Sequence, residues 1–202
     1  MKLSFLSRAL AGFWFAASST VALQAGAQTA AEFDRDGPYL MAGGGYSFEN
    51  FNGVGSLDID DSPNLIVHAG WRFHPHAAVD VGFEWNHGFD ASFAGIDAEL
   101  ETYFATVGMK IYALKGRIQP FLHPSVGVMV AKADVDVPDT PEFGGGFSDE
   151  KTTPALRAGG GVDAYVTENL FVSFSAYYVL PLDSDIDDAQ YVPISAALGW
   201  RF

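Results

Sequence analysis

No cysteine occurs in the 202-residue chain, so neither a disulfide framework nor a thiolate metal site is available to it. Basic residues are scarce: 11 Lys and Arg stand against 25 Asp and Glu, a formal net charge of −14. Phosphate backbones are bound by clustered Lys and Arg, and this balance argues against nucleic acid as a partner. Long apolar runs are missing too. Beyond residue 27 no window reaches the roughly 18 consecutive apolar residues of a spanning helix. No internal repeat, linker or low-complexity segment marks a second domain. Glycine is plentiful, with 22 residues, and aromatics make up 14% of the chain, a composition that suits strands and turns better than helices.

The N-terminus reads as an export leader. Lys2 and Arg8 form a positive start, Ala9 to Leu23 is apolar, and Ala25-Gly26-Ala27 fits the small-x-small cleavage pattern. That core falls short of the roughly 20 apolar residues of a membrane anchor. Residues 1–27 are expected to be a signal peptide, residues 28–37 a short N-terminal segment, and residues 38–202 one domain. Cleavage before Gln28 removes two basic and no acidic residues, taking the net charge from −14 to −16.

Strict alternation dominates after residue 38. Between Asn64 and Phe73, Leu65, Val67, Ala69, Trp71 and Phe73 share one face, while Asn64, Ile66, His68, Gly70 and Arg72 share the other. After His74-Pro75-His76, the residues Val79, Val81, Phe83 and Trp85 alternate with Asp80, Gly82, Glu84 and Asn86. These two runs make a hairpin with a short link. Six further strands follow the same rule, at about 39–48, 102–112, 118–131, 153–165, 170–180 and 191–202. Pro124 lies inside the fifth of the eight, where a missing donor suggests a bulge or a displaced boundary. The connections alternate in length: short at 74–76, 113–117 and 167–169, long at 49–63, 87–101, 132–152 and 181–190. An even strand count with short turns at one end and long loops at the other is the pattern of a membrane barrel. It puts both termini on the periplasmic side.

Period alone does not separate a membrane barrel from a soluble one, so the polar face decides. The apolar face of all eight strands carries no charged residue, as a lipid-facing surface requires. The other face is glycine-rich and sparsely charged, with Arg72, Lys110, Arg157 and Arg201 beside Asp80, Glu84 and Asp163, and with His68 and His123. Similar numbers of opposite charges suggest ion pairs inside a narrow lumen, where an unpaired charge is costly. Arg72 and Asp80 share a hairpin and a face and are expected to meet across it. Aromatics fall at two levels: Trp71, Phe73, Trp200 and Phe202 near one end, and Tyr46, Phe48, Phe83, Trp85, Tyr103 and Tyr178 near the other, as two interfacial belts. The reading is an all-β fold, an eight-stranded antiparallel transmembrane β-barrel in up-and-down order.

The chain resembles the small outer-membrane barrel family, which includes OmpA-like transmembrane domains and opacity-type surface proteins. The local matches are Gln119-Pro120-Phe121 leading into Val126-Gly127-Val128, and Ala158-Gly159-Gly160-Gly161-Val162-Asp163 followed by Thr167-Glu168-Asn169-Leu170. The resemblance implies residence in the bacterial outer membrane, in contact with its lipid and lipopolysaccharide. It also implies that Gly199-Trp200-Arg201-Phe202 is a closing strand whose Trp200 and Phe202 are read by the outer-membrane assembly machinery. The chain is read as a barrel alone, with no peptidoglycan-binding domain expected after Phe202.

Few residues suggest chemistry. His123-Pro124-Ser125 places an imidazole and a hydroxyl on one strand face, a possible base and nucleophile, and lipid A deacylases resemble this in using a His-x-Ser pair. Here both residues point into the lumen, away from the outer leaflet, and no following carboxylate has an obvious place beside them. A hydrogen-bonded lumen pair is expected, and the chain is read as a non-enzyme. Acidic clusters at Asp58, Asp60 and Asp61, at Asp134, Asp136 and Asp139, and at Asp183, Asp185, Asp187 and Asp188 lack the EF-hand pattern and read as solvated loops. Divalent bridging from them to lipopolysaccharide phosphate is the sharper alternative. The glycine runs 43–45, 144–146 and 159–161 fit no phosphate-binding pattern, and Gly44 and Gly160 are expected to make room for neighbouring aromatics. His74 and His76 flank a turn. No metal or cofactor is assigned. The expected role is structural or surface interaction through four acidic extracellular loops. The alternatives are a narrow porin-like channel for small solutes and a lipid A-modifying enzyme.

Overall fold

The computed structural model describes residues 33–49, 62–93, 96–136, 147–182 and 190–202. Within them run nine strands: β1 (Gly37–Glu49), β2 (Ser62–His74), β3 (Ala77–Phe93), β4 (Ile96–Tyr112), β5 (Ile118–Leu122), β6 (Ser125–Asp136), β7 (Phe147–Tyr165), β8 (Leu170–Pro181) and β9 (Tyr191–Arg201). All pairings are antiparallel, and β1 pairs with β2 on one side and with β9 on the other, so the sheet closes on itself. β5 and β6 share the same two neighbours, β4 and β7, and together form one stave of an eight-stave barrel. Closure leaves no unpaired edge, a condition for any sheet surrounded by lipid.

Pro124 interrupts the fifth stave without a bulge or a shift. Leu122 faces Ile111 and Ser125 faces Gly108, which is the same register on either side of the break, and Gly160 and Arg157 continue it on β7. The reason is economical. His123 N still donates to Gly159 O at 2.9 Å, and Pro124 O still accepts from Met109 N at 3.1 Å, so the proline forfeits a single donor. Alternation passes through unbroken, with Pro124 outward between inward His123 and Ser125.

The short turns fall where alternation put them. Two of the expected long loops are shorter, because the β3–β4 ladder continues to Phe93↔Ile96 and the β6–β7 ladder to Val135↔Phe147. Lipid on one side imposes the apolar–polar rhythm. A ladder that runs past the lipid can continue without that signature. Residues 1–27, most of the acidic loop residues and Gly144–Gly146 lie outside the described residues, while Asp134 and Asp136 belong to the end of β6.

The faces are inverted relative to a soluble barrel. Leu40, Leu65, Val67, Trp71, Val81, Val107, Val126, Leu156, Ile194, Leu198 and Trp200 point outward and are 37–60% exposed. Arg72, Lys110, Arg157, Arg201, Asp80, Glu84 and Asp163 point inward and are at most 3% exposed. Among the described residues no helix is long and apolar enough to cross a membrane, and the strands supply the apolar belt instead.

Candidate functional site: the charged lumen

Inward glycines make the space that the lumen side chains fill. A Cβ on Gly82 would stand 2.6 Å from His68 Cε1 and 2.8 Å from Thr106 Oγ1, while Cβ atoms on Gly70 and Gly108 would collide with the Tyr39 ring and with His123. At Gly44 and Gly160 the neighbours are backbone carbonyls, of Asn64 and Phe121, and not the aromatic rings expected from sequence.

The buried charges form separate groups along the bore. Lys110 Nζ lies 3.2 Å from Asp163 Oδ2, which also accepts from the Tyr112 hydroxyl at 3.0 Å. Arg157 Nη1 donates to Glu84 Oε2 at 3.2 Å and its Nε to Ser125 Oγ at 3.1 Å, with the guanidinium 4.4 Å from the Tyr177 ring centroid. Asp80 accepts from the Tyr39 hydroxyl at 3.0 Å and faces His123 Nε2 at 3.0 Å, while His68 Nδ1 approaches its other side at 3.5 Å. Towards the long-loop end amides and hydroxyls join the network: Ser195 Oγ donates to Asn64 Oδ1 at 3.1 Å, and Asn86 Nδ2 donates to Thr102 Oγ1 at 2.8 Å and to Glu84 Oε1 at 3.3 Å.

Arg72 does not meet Asp80. In the β2–β3 register Asp80 faces Gly70, while Arg72 faces Ala78 and reaches to Gln119 Oε1 at 2.6 Å and to the His74 and Pro75 carbonyls in the adjacent turn. Arg201 likewise lies at the short-turn mouth, donating to the Glu168 carbonyl at 2.8 Å and the Tyr165 hydroxyl at 3.3 Å. Trp200 and Phe202, at the end of β9, face outward.

The His123–Ser125 pair is not a nucleophile–base dyad. Ser125 Oγ accepts from Arg157, and the two imidazole nitrogens face Asp80 and, at 3.1 Å, the Tyr177 hydroxyl. A carboxylate does lie beside the histidine, contrary to expectation; it comes from β3, 43 positions away in sequence. His74 and His76 are engaged locally, His76 N donating to His74 Nδ1 at 3.1 Å and the His76 ring lying 2.8 Å from Tyr112 O. Sequence reading passed over Tyr39, Tyr112, Gln119, Tyr165 and Tyr177, all inward and buried. The signal was there in their parity, since each alternates with lipid-facing neighbours.

The outer wall carries aromatics at both levels. Trp71, Phe73, Trp200 and Phe202 are exposed at the short-turn end. Towards the other end Trp85 stacks on Tyr103 with centroids 6.5 Å apart and donates from Nε1 to Glu101 at 2.6 Å, with Lys132 Nζ 5.3 Å from the Tyr103 centroid.

A closed barrel with charges inside and an uncharged apolar belt outside, edged by aromatics, defines an integral outer-membrane β-barrel. The sequence matches the family described as outer membrane protein beta-barrel domain over residues 13–202, and the chain belongs to that family. Among solved structures, Ail of Yersinia pestis is 19% identical with a TM-score of 0.61, covering 83% of this chain and 100% of its own. Neisserial surface protein A is 15% identical with a TM-score of 0.57, covering 82% and 97%. OprG of Pseudomonas aeruginosa is 13% identical with a TM-score of 0.54, covering 85% and 98%. At these identities the likeness is one of fold. Among curated proteins none matches the sequence.

Proposed function

We propose that the protein acts as a surface-interaction barrel without enzymatic activity. In this reading the short turns and both termini face the periplasm and the long-loop end faces outward. The observation that supports it is the filled bore. Arginine, lysine, carboxylate and tyrosine side chains interlock across the lumen, at most 8% exposed even for its serines and histidines. A barrel of eight strands has little interior to spare, so the work falls to the rim and the wall.

A crystal structure of Ail holds the heparin analogue sucrose octasulfate. A polyanion fits this chain poorly, because its loop segments carry Asp58, Asp60 and Asp61, and Asp183, Asp185, Asp187 and Asp188. Like charges raise the barrier to encounter. A cationic surface, or lipopolysaccharide phosphate bridged by divalent ions, suits them better. Outer-membrane lipid and the assembly machinery are the remaining partners in this reading, the latter through Trp200 and Phe202.

Protease treatment of intact cells is the test. Cleavage within residues 50–61, 137–146 or 183–189 supports the orientation and the display of loops; cleavage only after the outer membrane is breached refutes it. Planar-bilayer recordings are expected to show no conductance steps, and steady steps would favour the channel. Lipid A from cells with and without the protein is expected to carry the same acyl chains; loss of a chain that is reversed by Ser125→Ala would establish an enzyme.

A further inference from the structure

The four residues that precede β1 do not trail from the barrel. Phe33 is 2% exposed. Its ring packs 5.8 Å from that of Tyr165 on β7, with the Arg117 guanidinium 5.6 Å from its centroid. Its carbonyl lies at the convergence of three buried donors: Gln119 Nε2 at 3.2 Å, Arg72 Nη1 at 3.5 Å, and Arg201 Nη1. The Asp34 carboxylate accepts from Gly116 N at 3.3 Å and Gln119 Nε2 at 3.4 Å, and lies 3.9 Å from Arg72 Nη2. The segment thereby touches β2, the β4–β5 turn, β5, β7 and β9, which is to say both sides of the bore.

We propose that Phe33–Asp36 is a built-in stopper that closes the short-turn mouth of the lumen. Charge supports this as well as shape. Among the described residues the buried set holds four cations, Arg72, Lys110, Arg157 and Arg201, and three carboxylates, Asp80, Glu84 and Asp163. The carboxylates are engaged deeper in the bore, with Lys110, with Arg157 and with the histidine pair. The excess positive charge sits at the mouth, and the stopper brings to it a carbonyl oxygen and the carboxylate of Asp34. In the turn that receives Asp34, Gly116 adopts φ +102°, which glycine reaches without a Cβ penalty, and its N–H donates to the carboxylate. Phe202 N then donates to Pro38 O at 3.0 Å, so the seated segment runs directly into the seam between the first and last strands. The inference holds whichever side of the membrane that mouth faces.

The natural absence of cysteine makes the test clean. Single cysteines at Phe33→Cys and Arg35→Cys are introduced into the otherwise intact barrel, folded in detergent, and reacted with a small anionic methanethiosulfonate. Position 35 is exposed, so it is expected to label at least about tenfold faster than position 33, the protection reflecting the energy of local opening. Equal rates would overturn the proposal. A third cysteine, Ser173→Cys, reports on the bore behind the stopper. Ser173 is inward and buried; it pairs with Asp163, which pairs with Gln119, the residue whose side chain holds the Phe33 carbonyl. In chains that retain the heat-modifiable gel shift of a folded barrel, removal of residues 28–36 is expected to raise its labelling rate about tenfold or more. An unchanged rate would show that the mouth is sealed by something else.

Discussion

Replacing Arg157 by methionine isolates one buried ion pair of the lumen. Its guanidinium and the Glu84 carboxylate are 3.2 Å apart, both side chains 1% exposed. At an effective dielectric constant of about 20 that separation corresponds to roughly 5 kcal/mol of attraction, offset by the desolvation of both groups. The net value of the pair is therefore small, but the cost of breaking it is not. Without Arg157, Glu84 keeps neutral partners, Asn86 at 3.3 Å and the Tyr191 hydroxyl, and stands as a buried charge among apolar and neutral groups. Arg157→Met is expected to destabilise the barrel by about 3–5 kcal/mol, and Glu84→Met by a similar amount. The double variant should recover at least about 2 kcal/mol of their sum, because neither charge is then left alone. Urea unfolding of the four proteins in lipid vesicles, followed by tryptophan fluorescence, measures the cycle. Single-variant effects that add to within about 0.5 kcal/mol would refute the claim that these two residues neutralise each other in the bore.

The wall and the lumen packing make two further predictions. Val107, outward and 60% exposed midway along the alternating stretch 102–112 of β4, should tolerate arginine poorly, at about 2–4 kcal/mol, whereas Tyr46, 58% exposed near the end of β1, should tolerate it for less than about 1 kcal/mol; equal penalties would contradict the placement of the lipid belt. Gly82→Ala puts a methyl 2.6 Å from His68 Cε1 and should cost about 1–3 kcal/mol by thermal gel-shift midpoint, most of it relieved in a His68→Ala background. A penalty unchanged by that background would show that the glycine serves something other than the histidine.

The faces of each strand were legible because lipid enforces a period of two with no charge on one side, and no other solvent does so. Short turns were legible for the same reason, as places where the alternation stops and restarts. The partners across the bore were not. Arg72 and Asp80 share a face and a hairpin, yet the ladder sets Asp80 beside Gly70, and the long Arg72 side chain leans to the mouth, where Gln119 and backbone carbonyls receive it. His123 finds Asp80 through the curvature of a closed sheet, which local spacing does not encode. Pro124 misled because its cost depends on where its one absent donor would have pointed. Loop lengths were overestimated where the ladder outlasts the bilayer and loses its pattern. Phe33 sat outside every periodic segment, and the trace it left was a lone aromatic between Glu32 and Asp34.

Spin labels at Leu65, Val107, Val126 and Leu198, one per chain in lipid vesicles, test most directly whether lipid is the solvent of the outer wall. The account predicts greater relaxation by oxygen, which concentrates in the bilayer, than by a water-soluble nickel chelate at all four sites. Greater relaxation by the chelate would mean that the apolar wall faces water, and the membrane barrel would fall with it.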